Sequence, residues 1–166
     1  MKQLLPILTL LVLSACGFTP MYGDHGGRAT GLSATKGLDQ VDITLIPDES
    51  GVYLRNLLID SFYRDGYPSA PRYRLDVAAV SERISDLDIT VDSESTRRQI
   101  TLSSVANLID NETGQVVLTR PVTALTSYNV LGSQFTTRVS EKDAREAALA
   151  ELARQIETQV ALYFKR

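Results

Sequence analysis

The chain of 166 residues contains no tryptophan, one histidine and one cysteine. A single cysteine excludes an internal disulfide, so in an oxidising compartment the fold would have to hold without that staple. With Cys16 and His25 the only residues of their kinds, no Cys/His set remains for a structural zinc site. His25 lies among glycines, where a preorganised catalytic base is poorly placed and an ordinary loop histidine is the plain alternative. No Gly-x-Ser-x-Gly elbow and no Gly-rich loop between a strand and a helix occurs, and no nucleophile stands beside a base. These gaps point away from an enzyme and imply neither cofactor nor metal. Positive charge is also short: 17 basic against 20 acidic residues leave a net charge of −3. That balance argues against nucleic acid as a partner, and an anionic ligand would need a local basic patch. The longest apolar run, Leu4 to Leu13, would span about 15 Å as a helix, half of a ~30 Å hydrocarbon core, and so excludes a transmembrane span there.

What the N-terminus does have is a pattern. Lys2 provides a positive start, the apolar run has the size of a signal-peptide core, and Leu13-Ser14-Ala15-Cys16 follows. That tetrapeptide resembles the lipobox of bacterial lipoprotein signal peptides. The resemblance implies removal of residues 1–15 and attachment of acyl chains to Cys16, which becomes the N-terminus; the alternative is a free cysteine buried in a core strand. Each buried CH₂ adds about 0.8 kcal/mol of membrane affinity, so several chains together anchor firmly. Gly17 follows, where Asp marks inner-membrane retention in the enterobacterial pattern, and is therefore compatible with the outer membrane. Residues 16–38 hold six of the ten glycines and read as a lipidated tether, leaving 39–166 as one folded domain.

The folded part is legible as alternation and helical stripes. Residues 39–47 put Val41, Ile43 and Leu45 on one face of a first strand. After the break at Pro47-Asp48-Glu49-Ser50, with Asp48 or Ser50 as a cap, Leu54, Leu57, Leu58 and Phe62 recur at helical spacing to Asp65, and Gly66 and Pro68 end that helix. Residues 72–91 read as one long strand with a bulge near 82–86, carrying Tyr73, Leu75, Val77 and Ala79, then Ile84, Leu87, Ile89 and Val91. Strands over 96–110 and 115–130 flank a hairpin turn at Asp110–Gly114, and Pro121 assigns the latter strand to an edge or a bulge. Ser140-Glu141-Lys142-Asp143 looks like a capping box opening a last helix, with Leu149, Leu152, Ile156, Val160 and Tyr163 as its stripe and Ala144, Ala147, Ala148, Ala150 and Ala153 as a slim face. The order β-α-β-β-β-α predicts an α+β fold: two helices on one face of a four-stranded, mostly antiparallel sheet. The opposite face (Thr101, Ser103, Asn107, Thr119, Thr123) is polar, which an antiparallel sheet tolerates.

Arg97 and Arg98 open the third strand at the end of a hairpin, and arginine's planar fork suits phosphate. Neighbours on a strand point to opposite faces, so one ligand meets at most one of them if the backbone is regular. Plain solvation is the alternative. Arg138 is a weaker candidate of the same kind.

The segment Ser14 to Gly23, together with Leu54-Arg55-Asn56, Tyr73-Arg74-Leu75, Thr96-Arg97, Thr113-Gly114, Ser127-Tyr128-Asn129-Val130 and Glu141-Lys142-Asp143-Ala144, resembles the LptE family of lipopolysaccharide-assembly lipoproteins in its alphaproteobacterial form. The resemblance implies a non-enzymatic subunit on the periplasmic side of the outer membrane, lipid-anchored at Cys16. That subunit would plug and help assemble the LptD β-barrel and bind lipopolysaccharide, with Arg97 and Arg98 as candidate contacts. A free periplasm-facing lipoprotein that binds a small ligand or an envelope polymer is the alternative.

Overall fold

The computed structural model describes residues 37–64, 66–89 and 95–165. Cys16, the leader and most of the predicted tether lie outside them. After a 3-10 turn at Leu38–Gln40, the order is β1 (Val41–Ile43), α1 (Asp48–Phe62), β2 (Tyr73–Val77), β3 (Ser81–Ile89), β4 (Ser95–Asp110), β5 (Val116–Asn129) and α2 (Gln134–Phe164). Both helices and one sheet face enclose a single core, in which Leu54 and Leu58 of α1 meet Ile100, Leu102 and Leu108 of β4 and Leu149, Leu152 and Ile156 of α2. The α+β architecture is as predicted. The sheet, however, has five strands and is mixed rather than four-stranded.

The fifth strand arises because residues 72–91 are two strands. β2 pairs antiparallel with the C-terminal half of β4, Leu75 opposite Leu108. β3 pairs antiparallel with its N-terminal half, Ile84 opposite Ile100. Between them the phase slips by one residue. In β2 the odd residues Leu75 and Val77 face the core, whereas in β3 the even residues Glu82, Ile84 and Asp86 lie opposite the core-facing Leu102, Ile100 and Arg98. A one-residue slip transfers every side chain to the other face. Ala78 makes the slip tolerable: its N–H donates to Val105 O at 2.9 Å and its C=O accepts from the buried Ser104 hydroxyl at 2.7 Å. Ala79 is therefore exposed rather than core-facing. The predicted bulge sits slightly later, around Leu87.

β1 is parallel to β2, Val41 opposite Tyr73, and is shorter than the predicted strand. Its ladder stops once Thr44 N–H has donated to Leu75 O at 3.2 Å. Leu45 is consequently 82% exposed, and the buried Ile46 takes the core place predicted for it. The helix then starts at Asp48, in the left-handed region at φ 67, after Pro47 as a cap with no side-chain hydrogen bond. Gly51 sits inside α1 because a Cβ there would lie 2.8 Å from both Cγ2 and O of Ile46. Gly66 adopts φ +112 just past the helix, as its position predicted.

β5 pairs with β4 from Arg97/Asn129 to Ile109/Val116 and forms an outer edge. The hairpin turn is built on Asp110, whose Oδ1 accepts the N–H groups of Glu112 and Thr113, and Gly114 supplies φ 69. α2 begins at Gln134, not at Ser140. Thr137 accounts for the extra turns: its N–H donates to Ser133 O and its hydroxyl accepts from Leu131 N–H. Of the alanines, Ala144, Ala148 and Ala153 are buried, while Ala147 is exposed and Ala150 half-buried. A 31-residue helix has a surface side along its whole length.

Candidate functional site

The sheet has two faces of opposite character. Even residues of β4 (Ile100, Leu102, Ala106, Leu108) lie buried beneath the helices, and odd residues (Arg97, Gln99, Thr101, Ser103, Asn107) face away from them. Register brings Ser81, Arg83 and Ser85 of β3 and Thr119, Thr123 and Ser127 of β5 onto that second face, with Val105, Pro121 and the exposed Leu125 as its apolar members. Ser81, Arg83, Ser85, Gln99, Thr101, Ser103 and Thr123 line a depression of about 500 Å³ there. Hydroxyls and one amide dominate it, so it offers hydrogen bonds and cationic contacts rather than an apolar socket.

Arg97 and Arg98 occupy opposite sides of this sheet, as strand geometry requires. Arg97 is on the polar face, donating from Nε and Nη2 to Ser127 Oγ at 3.2 and 2.9 Å. Arg98 is on the helix side, donating from Nε to Asp86 Oδ1 at 2.9 Å. Its guanidinium pKa is raised above the ordinary arginine value, chiefly by the hydrogen bond to Asp86 and then by that to Tyr128. Arg98 thus ties β3, β4 and β5 together across one rung, since both Asp86 and Tyr128 are its register partners.

A second anchor stands beside it. Arg145 of α2 grips Glu82 of β3 with Nε at 2.7 Å and Nη2 at 2.9 Å, and Glu141 with Nη2 at 2.7 Å. The hydrogen bond to Glu82 is the largest cause of its raised pKa, partly opposed by burial. The Glu141/Arg145 pair is an i, i+4 contact, a spacing visible in the sequence. The Glu82 contact is not visible there, because its partners lie 63 residues apart.

Sequence reasoning paired Arg97 with its neighbour; the structure puts it on the same face as Arg83 instead. Both project from the polar face, two rungs of alternation apart along the sheet, since Arg83 lies opposite Thr101. The missed signal was the phase slip after β2, which decides which way Arg83 points. Arg138, the weaker candidate, is exposed in the first turns of α2. Among the described residues no three His, Cys, Asp or Glu side chains gather as metal ligands.

Comparison with known proteins bears on this arrangement. The fold matches a lipoprotein of Caulobacter crescentus with a TM-score of 0.63 at 20% identity, covering 81% of this chain and 97% of that one. It matches rare lipoprotein B of Shewanella oneidensis with a TM-score of 0.60 at 11% identity over 76% and 96% of the two chains. Lipoprotein B of Nitrosomonas europaea matches with a TM-score of 0.61 at 14% identity over 85% and 94%. At such identities these likenesses establish the fold alone. No curated protein matches the chain by sequence. The family model described as LptE, lipopolysaccharide-assembly, matches residues 38–161. That match covers α1, all five strands, α2 as far as residue 161, and Arg97 and Arg98, and on it the chain belongs to the LptE lipopolysaccharide-assembly family.

Proposed function

We propose that this protein carries out its family's non-enzymatic role in lipopolysaccharide assembly as the plug and assembly partner of the LptD β-barrel at the outer membrane, where it binds lipopolysaccharide and is tethered by a lipid on Cys16. The observation that carries the reading is the two-faced sheet. One face is buried beneath both helices, while the other presents Gln99, Thr101, Ser103, Thr119, Thr123 and Ser127 to its surroundings. A barrel lumen is polar and wet, and a body seated in one needs a surface of that kind rather than an apolar patch.

Within this reading Arg97, supported by Arg83, is the contact for lipid-A-type phosphates, because both lie on the polar face, Arg83 lining the hydroxyl-rich depression and Arg97 one alternation beyond its Gln99. Arg98 acts from the other side as a strut that holds β3 and β5 against β4. The chain's net charge of −3 is compatible with a local site of this size and not with a broad anionic-ligand surface. The test is affinity recovery of the tagged, lipid-modified protein from solubilised outer membranes. A large β-barrel protein is expected in near-stoichiometric yield, and its absence would sink the reading and leave the free-lipoprotein alternative standing.

A further inference from the structure

A sheet edge exposes unpaired backbone donors and acceptors, and folded proteins normally cover them. Here α1 covers the edge of β1, and α2 covers the middle of the β5 edge. Along β1, the N–H of Val41 donates to Leu38 O, its C=O accepts from the Tyr63 hydroxyl at 3.1 Å, the N–H of Ile43 donates to the same hydroxyl at 3.0 Å, and the C=O of Ile43 accepts from Arg55. Along β5, Gln155 of α2 takes both outward groups of Thr123, accepting its N–H at 3.3 Å and donating to its C=O at 3.0 Å. Two residues earlier the outward position is Pro121, which has no N–H, and before that Thr119 O accepts from Arg120.

The edge of β3 is treated differently. Since Thr123 points its backbone away from β4, its partner Ser103 points away from β5 and toward β3. The pairs Ser81/Ser103, Arg83/Thr101 and Ser85/Gln99 therefore exchange the ladder bonds, and Glu82 and Ile84 turn their N–H and C=O groups outward. No described strand pairs with that side. The side chains there are held ready: Glu82 is fixed by Arg145, Asp86 by Arg98, and Ile84 between them is 44% exposed.

We propose that the Glu82–Ile84 edge of β3 is a strand-addition site that receives an extended segment of the barrel partner. An apolar side chain of that segment lies against Ile84 and a basic one faces Glu82. This deepens the plug reading and rests on it for the partner's identity. A closed barrel wall has no free edge, so the added segment is a loop or a terminal stretch of the partner. The basic preference follows from Glu82 and Glu141 sharing the single guanidinium of Arg145, which leaves one negative charge at that position. A second copy of this chain is the poorer occupant. Antiparallel pairing of two β3 edges about Ile84 sets Glu82 opposite Asp86 twice, and like charges directly opposite are destabilising.

Amide hydrogen exchange on the wild-type lipoprotein, alone and in its purified complex with the barrel, tests this without any mutation. The N–H groups of Glu82 and Ile84 are expected to slow by about tenfold or more in the complex, while that of Arg83, bonded to β4 in either state, stays put. Ile84→Pro removes an outward donor and leaves the β4 ladder untouched; it is expected to keep the melting temperature and lower barrel recovery by about tenfold. If Ile84→Pro fails to fold, the wild-type exchange rates decide. Unchanged exchange at Glu82 and Ile84 in an intact complex overturns the strand-addition site and leaves the plug role standing. Failure to recover any barrel overturns both.

Discussion

Two neighbouring arginines show how far single residues could be read from the chain. Alternation along a regular strand lets one ligand meet at most one of Arg97 and Arg98, and the structure puts Arg97 on the polar face and Arg98 in an ion pair with Asp86. Their substitutions should therefore separate. Arg97→Ala is expected to weaken lipopolysaccharide binding about tenfold with little change in unfolding midpoint, the loss of one charge-assisted contact. Arg98→Ala is expected to leave binding closer to wild type and to lower the unfolding midpoint slightly, as for a largely exposed pair. Equal loss of binding in both, measured by titration alongside urea unfolding, would return the pair to a common role. Gly51 makes a second residue-scale case. Alanine is the better helix former by about 1 kcal/mol, yet the new Cβ would meet Ile46 backbone and side chain at 2.8 Å. Gly51→Ala is thus expected to destabilise by about 1–3 kcal/mol, the overpacking range, in the same unfolding assay.

At the scale of elements, legibility followed the range of the interactions that set each boundary. β4, β5 and the Asp110–Gly114 turn were readable because alternation and turn chemistry are local. The polar face was readable for the same reason, since Thr101, Ser103, Thr119 and Thr123 simply alternate with core residues. The phase slip at Ala78–Val80 was not, because the hydroxyl that stabilises it belongs to Ser104, 26 residues away. Nor was the early end of β1, which depends on α1. β1 is three residues long and its outer edge is held by Tyr63 and Arg55. Burial raises the Tyr63 pKa above its ordinary 10.0, partly opposed by the hydrogen bond to Ile43. A group whose folded pKa is raised stabilises the fold while it stays protonated in both states. That contribution is complete below pH 10 and is lost as pH climbs through the folded value. Tyr63→Phe leaves Val41 O and Ile43 N–H without their partner and is expected to lower stability by about 1–3 kcal/mol at neutral pH. The variant should also lack the part of the alkaline decline due to this phenol, which parallel unfolding curves at pH 8 and above 10 would reveal.

For the whole molecule, the proposed role offers two attachments to the membrane that can be told apart. Acyl chains on Cys16 would anchor it, with each buried CH₂ adding about 0.8 kcal/mol; a body enclosed by a barrel would be held by shape and by a large polar interface as well. No described helix is long and apolar enough to cross a membrane. The two attachments predict different fates for Cys16→Ser. If the lipid alone retains the protein, the unlipidated variant, exported behind a cleavable leader, moves to the soluble periplasmic fraction. If the polar face of the sheet is seated in the barrel, the variant stays with the outer membrane while the barrel is present and becomes soluble only when the barrel is depleted. The second outcome is the one the plug proposal expects, because the hydroxyls of β3, β4 and β5 and the outward edge at Glu82 and Ile84 offer hydrogen bonds rather than an apolar surface for acyl chains. Fractionation of Cys16→Ser with and without the barrel separates the two, and release of the variant despite a full complement of barrel would make the lipid the sole anchor.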